Sequence, residues 1–416
     1  MIVTFLTGLG QTNMAETIVN IVLTLPNQND ISPKGVVSLL TVIHEAIFYN
    51  YKQLLHRLFK DNYARSLTAL LSETQMQALY EWPLMSGGGS SAVTLVAAQI
   101  LRILNLPFAQ QNSEKELEVI NKELYRCEVV PSTIKAMKYL NQELISIAIT
   151  ILSRLVFNTD SERKFAQQFV NNEGLKLITK LKLLKEDNSV LVITETLSIL
   201  SQLTRLSKDY YERIHNLMVY RDLKNLLNHK DAPIRAKVCS LIGNMCRHSA
   251  YFYDHLLQSG LIEAAIERCK DSDRNTRKFA CFAVGNAGFH NDSLYDSLRS
   301  CVPLLVALLK DSEDKTRANA AGALGNFVRN SSKLCKDLIE YGALKTLLEV
   351  VTGDTSVPPR RISLFSIGNL CQYSECRTVF STLNLRQHIE PLLDSQDQQI
   401  SKFAKRIIQK LTVKEI

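Results

Sequence analysis

The chain has 416 residues, 49 of them Lys or Arg against 41 Asp or Glu, for a formal charge of +8. That length exceeds what one core usually serves, about 250–300 residues, and 46% hydrophobic residues is too many for a disordered chain. Sixteen glycines and ten prolines are too few for the frequent turns of an all-β protein, and the mild positive excess falls short of a dedicated nucleic-acid binder's dense basic face.

From the N-terminus, the chain opens apolar but without a basic leading region or small-residue cleavage site, so no secretory signal is expected. Val36–Phe48 and Val93–Leu106 have the character of buried helices, with loops or helix junctions expected at Leu84–Ser91 and Gln110–Glu118. The uncharged stretch Trp82–Leu101 is broken by Pro83 and Gly87–Gly89, so no membrane span is expected. Gly8-Leu9-Gly10 and Gly87–Gly89 lack the flanking strand and Lys-Ser/Thr of a phosphate cradle, and read as loops. Ile145–Asn158 predicts a helix, Glu173-Gly174-Leu175 a turn into a second one, and Lys176, Lys180, Lys182 and Lys185 a basic solvated face. Thr196–Tyr211 aligns with Val238–Tyr253 at an interval of 42, placing Gln202 opposite Asn244.

Downstream the repeat is plain. Gly-Asn occurs at Gly243-Asn244, Gly285-Asn286, Gly325-Asn326 and Gly368-Asn369, at intervals of 42, 40 and 43. Nine residues before each Asn stands Arg235, Arg277, Arg317 or Arg360. Apolar residues at i, i+4 and i+7, such as Val238, Ile242 and Met245, mark one helix face per unit. A period of about 40 residues with two or three helices is that of armadillo and HEAT repeats. The expected fold is therefore all-α, an armadillo/HEAT-like α-solenoid forming a right-handed superhelix of about eight to ten repeats. The expected divisions are irregular repeats over 1–140, degenerate repeats over 141–230, well-formed repeats over 231–396 and a capping helix over 397–416. That helix is expected to turn Lys402, Lys405, Arg406 and Lys410 to solvent. The glycine before each Asn is expected to let a neighbouring helix approach closely.

For Asn244, Asn286, Asn326 and Asn369 two readings stand. Each side-chain amide offers a donor and an acceptor that suit one peptide unit of an extended ligand, or it caps a helix end and bonds across repeats. Phe282 and Phe365, four residues before their Asn, either contact a partner or pack between repeats, the commoner role of Phe. His290 either meets the groove or is a hydrogen-bonded packing residue. Arg235, Arg277, Arg317 and Arg360 suit acidic ligands, but Asp231, Asp273 and Glu313 four residues before the first three point instead to an Asp/Arg ladder linking repeats. The nine cysteines are scattered without CxxC, and the eight histidines show no HExxH or metal spacing. No metal, cofactor or disulfide is expected, and a reducing cytosol is the natural setting.

The strings Thr276–Leu294 (TRKFACFAVGNAGFHNDSL) and Asp314–Leu334 (DKTRANAAGALGNFVRNSSKL), with Lys237–Phe252 and Leu338–Leu348, resemble the C-terminal armadillo-type region of Fused-type serine/threonine kinases. The resemblance is close over about 231–350 and weaker on both sides. It implies a scaffold or adaptor arm whose groove holds an extended or helical segment of a protein partner, in a signalling, ciliary or microtubule-linked system. A kinesin-like motor or an axonemal protein would be such a partner, and cytoplasm, cilium or axoneme the location. A structural brace of an axonemal assembly is the alternative. A nuclear-transport-type adaptor would pair each Asn with a Trp four residues earlier, where this chain has Ser240, Phe282, Gly322 and Phe365; its one tryptophan is Trp82. The chain has no Gly-rich nucleotide loop, HRD or DFG. His56-Arg57-Leu58, the nearest string, lacks the catalytic Asp and sits in a helical run. No enzyme activity is expected of this chain.

Overall fold

A computed structural model describes residues 31–49, 63–109, 111–157 and 162–412. The leader expectation, Gly8-Leu9-Gly10 and His56-Arg57-Leu58 lie outside the described residues. Among those described, every regular element is a helix. They fall into two compact units, the described parts of 1–183 with 187–199 and of 184–186 with 200–416. The division runs through a single helix near residue 200.

The first unit comprises α1 (Pro33–Tyr49), α2 (Tyr63–Leu70), α3 (Glu73–Glu81), α4 (Ser90–Ala109), α5 (Glu114–Arg126), α6 (Val129–Ala136), α7 (Ile145–Val156), α8 (Glu162–Asn171), α9 (Gly174–Lys180) and most of α10 (Val190–Leu206). Helix α1 packs on α4, and α4 on α7. The stretch Leu84–Ala109 is long and apolar enough to cross a membrane by length and composition alone. Here it serves as a core helix, with Val96, Ala97, Ile100 and Leu101 fully buried in the unit. The described part of the Gln110–Glu118 stretch is a helix junction. Ser113 and Glu116 form a capping box, Glu116 N–H donating to Ser113 Oγ and Ser113 N–H to Glu116 Oε2, so α5 starts at Glu114.

The second unit repeats a triplet: α11 (Tyr211–His215), α12 (Tyr220–Leu226), α13 (Ala232–Met245); α14 (Tyr253–Gln258), α15 (Leu261–Glu267), α16 (Arg274–Ala287); α17 (Tyr295–Leu298), α18 (Val302–Leu308), α19 (Asp314–Asn326); α20 (Cys335–Glu340), α21 (Ala343–Gly353), α22 (Val357–Leu370); α23 (Ser374–Thr382), α24 (Leu385–Ile389), α25 (Gln398–Thr412). The third helices form a continuous series, α13 on α16, α16 on α19, α19 on α22 and α22 on α25. Each also packs on the second helix of its own triplet, which buries the i, i+4, i+7 stripe. The C-terminal helix α25 thus completes a fifth triplet. With three triplets upstream (α2–α4, α5–α7, α8–α10), the described chain holds eight and a leading α1, within the range expected.

A left-handed residue opens most second helices: Glu128 before α6, Glu173 before α9, Gly260 before α15, Gly342 before α21 and Asn384 before α24. Glu173, not Gly174, therefore stands where Gly260 stands.

Candidate functional site

The four Gly-Asn pairs occupy the last turn of α13, α16, α19 and α22, where the final carbonyls have no donor within the helix. The next triplet supplies one. Asn286 Nδ2 donates to Gly243 O at 2.8 Å, Asn326 Nδ2 to Gly285 O at 2.9 Å and Asn369 Nδ2 to Gly325 O at 3.1 Å. The glycines make the approach close enough. A Cβ on Gly243 would lie 2.3 Å from Phe282 Cδ1, and one on Gly325 2.3 Å from Ser366 Oγ and 2.8 Å from Ser366 Cα. Upstream, Ser201-Gln202 replaces Gly-Asn, and Asn244 Nδ2 donates to Ser201 Oγ at 2.8 Å instead. The buried Gln202 Nε2 has no partner among the described residues.

Two further ladders cap the same helix ends. Four residues past each ladder Asn, a side chain donates to a carbonyl of the preceding triplet. His248 Nε2 reaches Arg205 O at 2.8 Å, His290 Nε2 Cys246 O at 3.1 Å, Asn330 Nδ2 Phe289 O at 3.1 Å and Tyr373 Oη Val328 O at 2.9 Å. His290 is thus a packing residue whose Nε2 carries the proton. The other ladder runs through first helices. Tyr211, Tyr253 and Tyr295 donate to Asn244 O, Asn286 O and Asn326 O at 3.1, 2.7 and 2.7 Å. Each hydroxyl also accepts the backbone N–H of His248, His290 or Asn330. Burial raises these phenols, Tyr211 to about 12, so they remain donors. The sequence alignment paired Tyr211 with Tyr253 without assigning either a role.

The arginines do link triplets, but with different acids than expected. Arg235 pairs with Asp271 (2.7 Å), Arg277 with Asp311 (2.7 Å) and Arg317 with Asp354 (2.6 Å), each acid in the turn before the next third helix. Each Arg Nη1 also donates to two carbonyls of its own turn, as Arg277 does to Asp271 O and Ser272 O. Asp231 and Asp273 take no part in these pairs: Asp273 spends its carboxylate on Thr276 N–H at 2.7 Å, and Asp231 lies 3.6 Å from His229 Nδ1. Glu313 pairs with Lys278 at 3.2 Å. In the fourth step Arg360 donates to Val351 O, and Arg361 takes the ladder position opposite Asp397. Asp397 directly precedes α25, whereas Asp271, Asp311 and Asp354 stand three residues before theirs. The acceptor is shifted, and the arginine one residue along meets it.

Phe282 lies against Gly243, and Phe365 stacks edge-on with Phe403 and under Arg406, so both fill the space between triplets while staying half-exposed. Helix α25 closes the last step. Arg406 Nη2 donates to Asn369 Oδ1 at 3.0 Å, and Lys410 Nζ to Gly368 O at 2.8 Å. Lys402 and Lys405 are exposed as expected, but Arg406 and Lys410 face the preceding triplet. Asn244 and Asn369 are buried. Asn286 and Asn326 remain half-exposed, and their Oδ1 atoms have no hydrogen-bond partner among the described residues. All nine cysteines are free thiols, eight of them buried, and no cluster of three His, Cys, Asp or Glu suited to a metal occurs among the described residues.

These stacked three-helix units define an armadillo/HEAT-type α-solenoid, and a HEAT-like repeat family matches residues 275–327. An engineered protein of solved structure superposes at a TM-score of 0.67, with 16% identity, 96% of this chain and 99% of that one. A designed armadillo repeat protein in complex with the peptide (KR)4 superposes at 0.51, with 19% identity, 55% of this chain and 98% of that one. The chain's homologues are Fused-type serine/threonine kinases. The serine/threonine-protein kinase TIO of Arabidopsis thaliana is 32% identical over 93% of this chain and 33% of its own length. The serine/threonine-protein kinase 36 of Mus musculus is 29% identical over 88% and 28%. The chain thus spans about a third of these relatives, consistent with the C-terminal armadillo region of the family and matching their non-kinase part.

Proposed function

We propose that this chain is a non-catalytic scaffold arm of a Fused-kinase-linked system. It would hold an extended or helical segment of a partner protein on the exposed face of its third helices, centred on Asn286 and Asn326. One observation carries the reading. Both asparagines spend Nδ2 on the neighbouring triplet yet keep an accepting Oδ1 on an open face, next to half-exposed Phe282. That arrangement offers an extended main chain an acceptor in each of two successive triplets. The designed armadillo protein of similar fold, in complex with the peptide (KR)4, supports peptide binding on such a fold. A kinesin-like motor or an axonemal component is the proposed partner class, and cytoplasm or cilium the proposed setting.

A second reading, a structural brace contacting its assembly elsewhere, is favoured by the internal use of every ladder Nδ2. Cross-linking of the chain in ciliated cells separates the two. Cross-links concentrated on 232–245, 274–287 and 314–326 are expected, and cross-links confined to first and second helices would refute the third-helix site. Asn286→Ala with Asn326→Ala is expected to weaken capture of the cross-linked partner. Because it also uncaps Gly243 O and Gly285 O, a melting curve accompanies it.

A further inference from the structure

The third helices of the second unit are charged on one side of the ledger only. Helices α13, α16, α19, α22 and α25 hold 13 Lys or Arg and a single carboxylate, Asp314. Four of these arginines are neutralised by the turn acids Asp271, Asp311, Asp354 and Asp397, and Lys278 by Glu313. Of the eight that remain, Lys237 and Lys315 share a helix face with the ladder asparagines. Counting back from each ladder Asn, the positions at −4, −7 and −11 form one stripe with it. In α16 these are Phe282, Phe279 and Asn275; in α19 they are Gly322, Asn319 and Lys315; in α13 the −7 position is Lys237. All are half-exposed or exposed, so the stripe belongs to the open face of these helices.

No carboxylate falls on this stripe in any of the five helices. Three residues past Asn244 and Asn326, just beyond the helix ends, stand the exposed Arg247 and Arg329. Arg329 stacks over Phe289 at 4.1 Å from the ring centre. Lys237, Arg247, Lys315 and Arg329 have no ion-pair partner among the described residues. At the C-terminal end the crowding of like charge registers on Lys410, whose pKa is lowered first by burial and then by the adjacent Arg406. Unpaired cations flank the two open asparagines, on a stripe that carries no carboxylate.

We propose that this face binds an extended acidic peptide, its main chain held at Asn286 and Asn326 and its carboxylates by Lys237, Arg247, Lys315 and Arg329. The proposal rests on the third-helix reading above and specifies the partner's chemistry. It sets the chain apart from the designed armadillo protein that holds (KR)4, a peptide of the opposite charge. Adjacent packed helices lie about 8–10 Å apart, and an extended chain advances about 3.3 Å per residue. Roughly two to three peptide residues would therefore pass each triplet, so alternating carboxylates can meet successive cations. The basic residues are few and interleaved with Asn, Gly and Phe, which fits a peptide better than a continuous phosphate backbone.

The test is fluorescence anisotropy with labelled dodecapeptides of alternating Glu-Ser, Gln-Ser and Lys-Ser, and with an oligothymidylate of equal length. The Glu-Ser peptide is expected to bind at least tenfold more tightly than the other peptides and to weaken several-fold between 50 and 200 mM salt. Arg247→Glu with Lys315→Glu removes two exposed, unpaired cations. It should cost tenfold or more in affinity with an unchanged melting temperature. Absence of Glu-Ser binding overturns the proposal, as does tighter binding of the oligothymidylate. Equal or tighter Gln-Ser or Lys-Ser binding that is lost in the Asn286→Ala, Asn326→Ala variant leaves the third-helix site standing and overturns the acidic class. Glu-Ser binding untouched by either double variant overturns both.

Discussion

Gly325→Ala and Gly368→Ala make the same chemical change in the same dipeptide, and the structure assigns them opposite signs. A Cβ at Gly325 would stand 2.8 Å from Ser366 Cα, a backbone atom of α22. Ser366 cannot swing away, since its hydroxyl donates to Ala321 O at 2.7 Å. Helix α22 must shift, and Asn369 then loses its reach to Gly325 O. Overpacking of this kind costs about 1–3 kcal/mol, against at most about 1 kcal/mol gained in helix propensity. At Gly368 the nearest atom to a Cβ is Ile407 Cγ1 at 3.7 Å, ordinary contact. Only the propensity gain remains there, about 0.5–1 kcal/mol. In a unit of this size 1 kcal/mol moves Tm by about 2–4 °C. Thermal melts followed by circular dichroism should therefore show Gly325→Ala several degrees below the parent and Gly368→Ala one to four above it. A Gly325→Ala protein as stable as the parent, or equal losses in both variants, would refute the close-approach account.

Arg317→Ala strands Asp354 and should cost about 2–3 kcal/mol in urea unfolding, whereas Arg360→Ala removes one bond to Val351 O and should cost under about 1 kcal/mol. Tyr253→Phe leaves Asn286 O and His290 N–H without their hydroxyl partner and should cost about 1–2 kcal/mol, with faster amide exchange at His290. The Arg317 guanidinium holds Asp354 below the ordinary carboxylate range. Asp271 is also lowered: its burial, the largest influence, pushes it up, but Arg235 and the Asp273 N–H together outweigh that. A depressed folded pKa stabilises above the unfolded value near 4 and is lost as pH falls through the folded value. Melting temperature should hold from pH 7 to about 5 and drop below about 4, with a shallower drop in Asp354→Asn; an equal drop would refute the linkage.

The array was legible because Gly-Asn does two jobs at once. A glycine admits the next helix and an amide caps the carbonyl it exposes, so the pair recurs wherever that joint recurs. Where the joint changes the signal fades, as at Ser201-Gln202. The turns into second helices were fainter still, since Glu128, Glu173 and Asn384 hold the left-handed conformation that Gly260 and Gly342 adopt more readily. The Arg partners were misread for a geometric reason. Four-residue spacing suggested Asp231 and Asp273, but Asp273 caps its own helix, Asp231 lies beside His229, and the true acids are 34 to 37 residues downstream. Arg360 and Arg361 are indistinguishable by type, and only the position of Asp397 chooses between them. The closing role of Arg406 and Lys410 was hidden because nothing in a lysine announces that it stands where an asparagine stood.

That last substitution bears on self-association. Each joint is head-to-tail: one triplet offers carbonyls, its successor offers amides, and the same step can repeat without limit. Heterologous contacts of this type build open filaments when nothing ends them. In α25, Arg406 and Lys410 meet the preceding triplet in place of asparagine, and Lys402 and Lys405 stay exposed. Lys410 thus completes the joint with α22 while Gln409-Lys410 withholds the glycine–asparagine pair that a further step of the same kind would use.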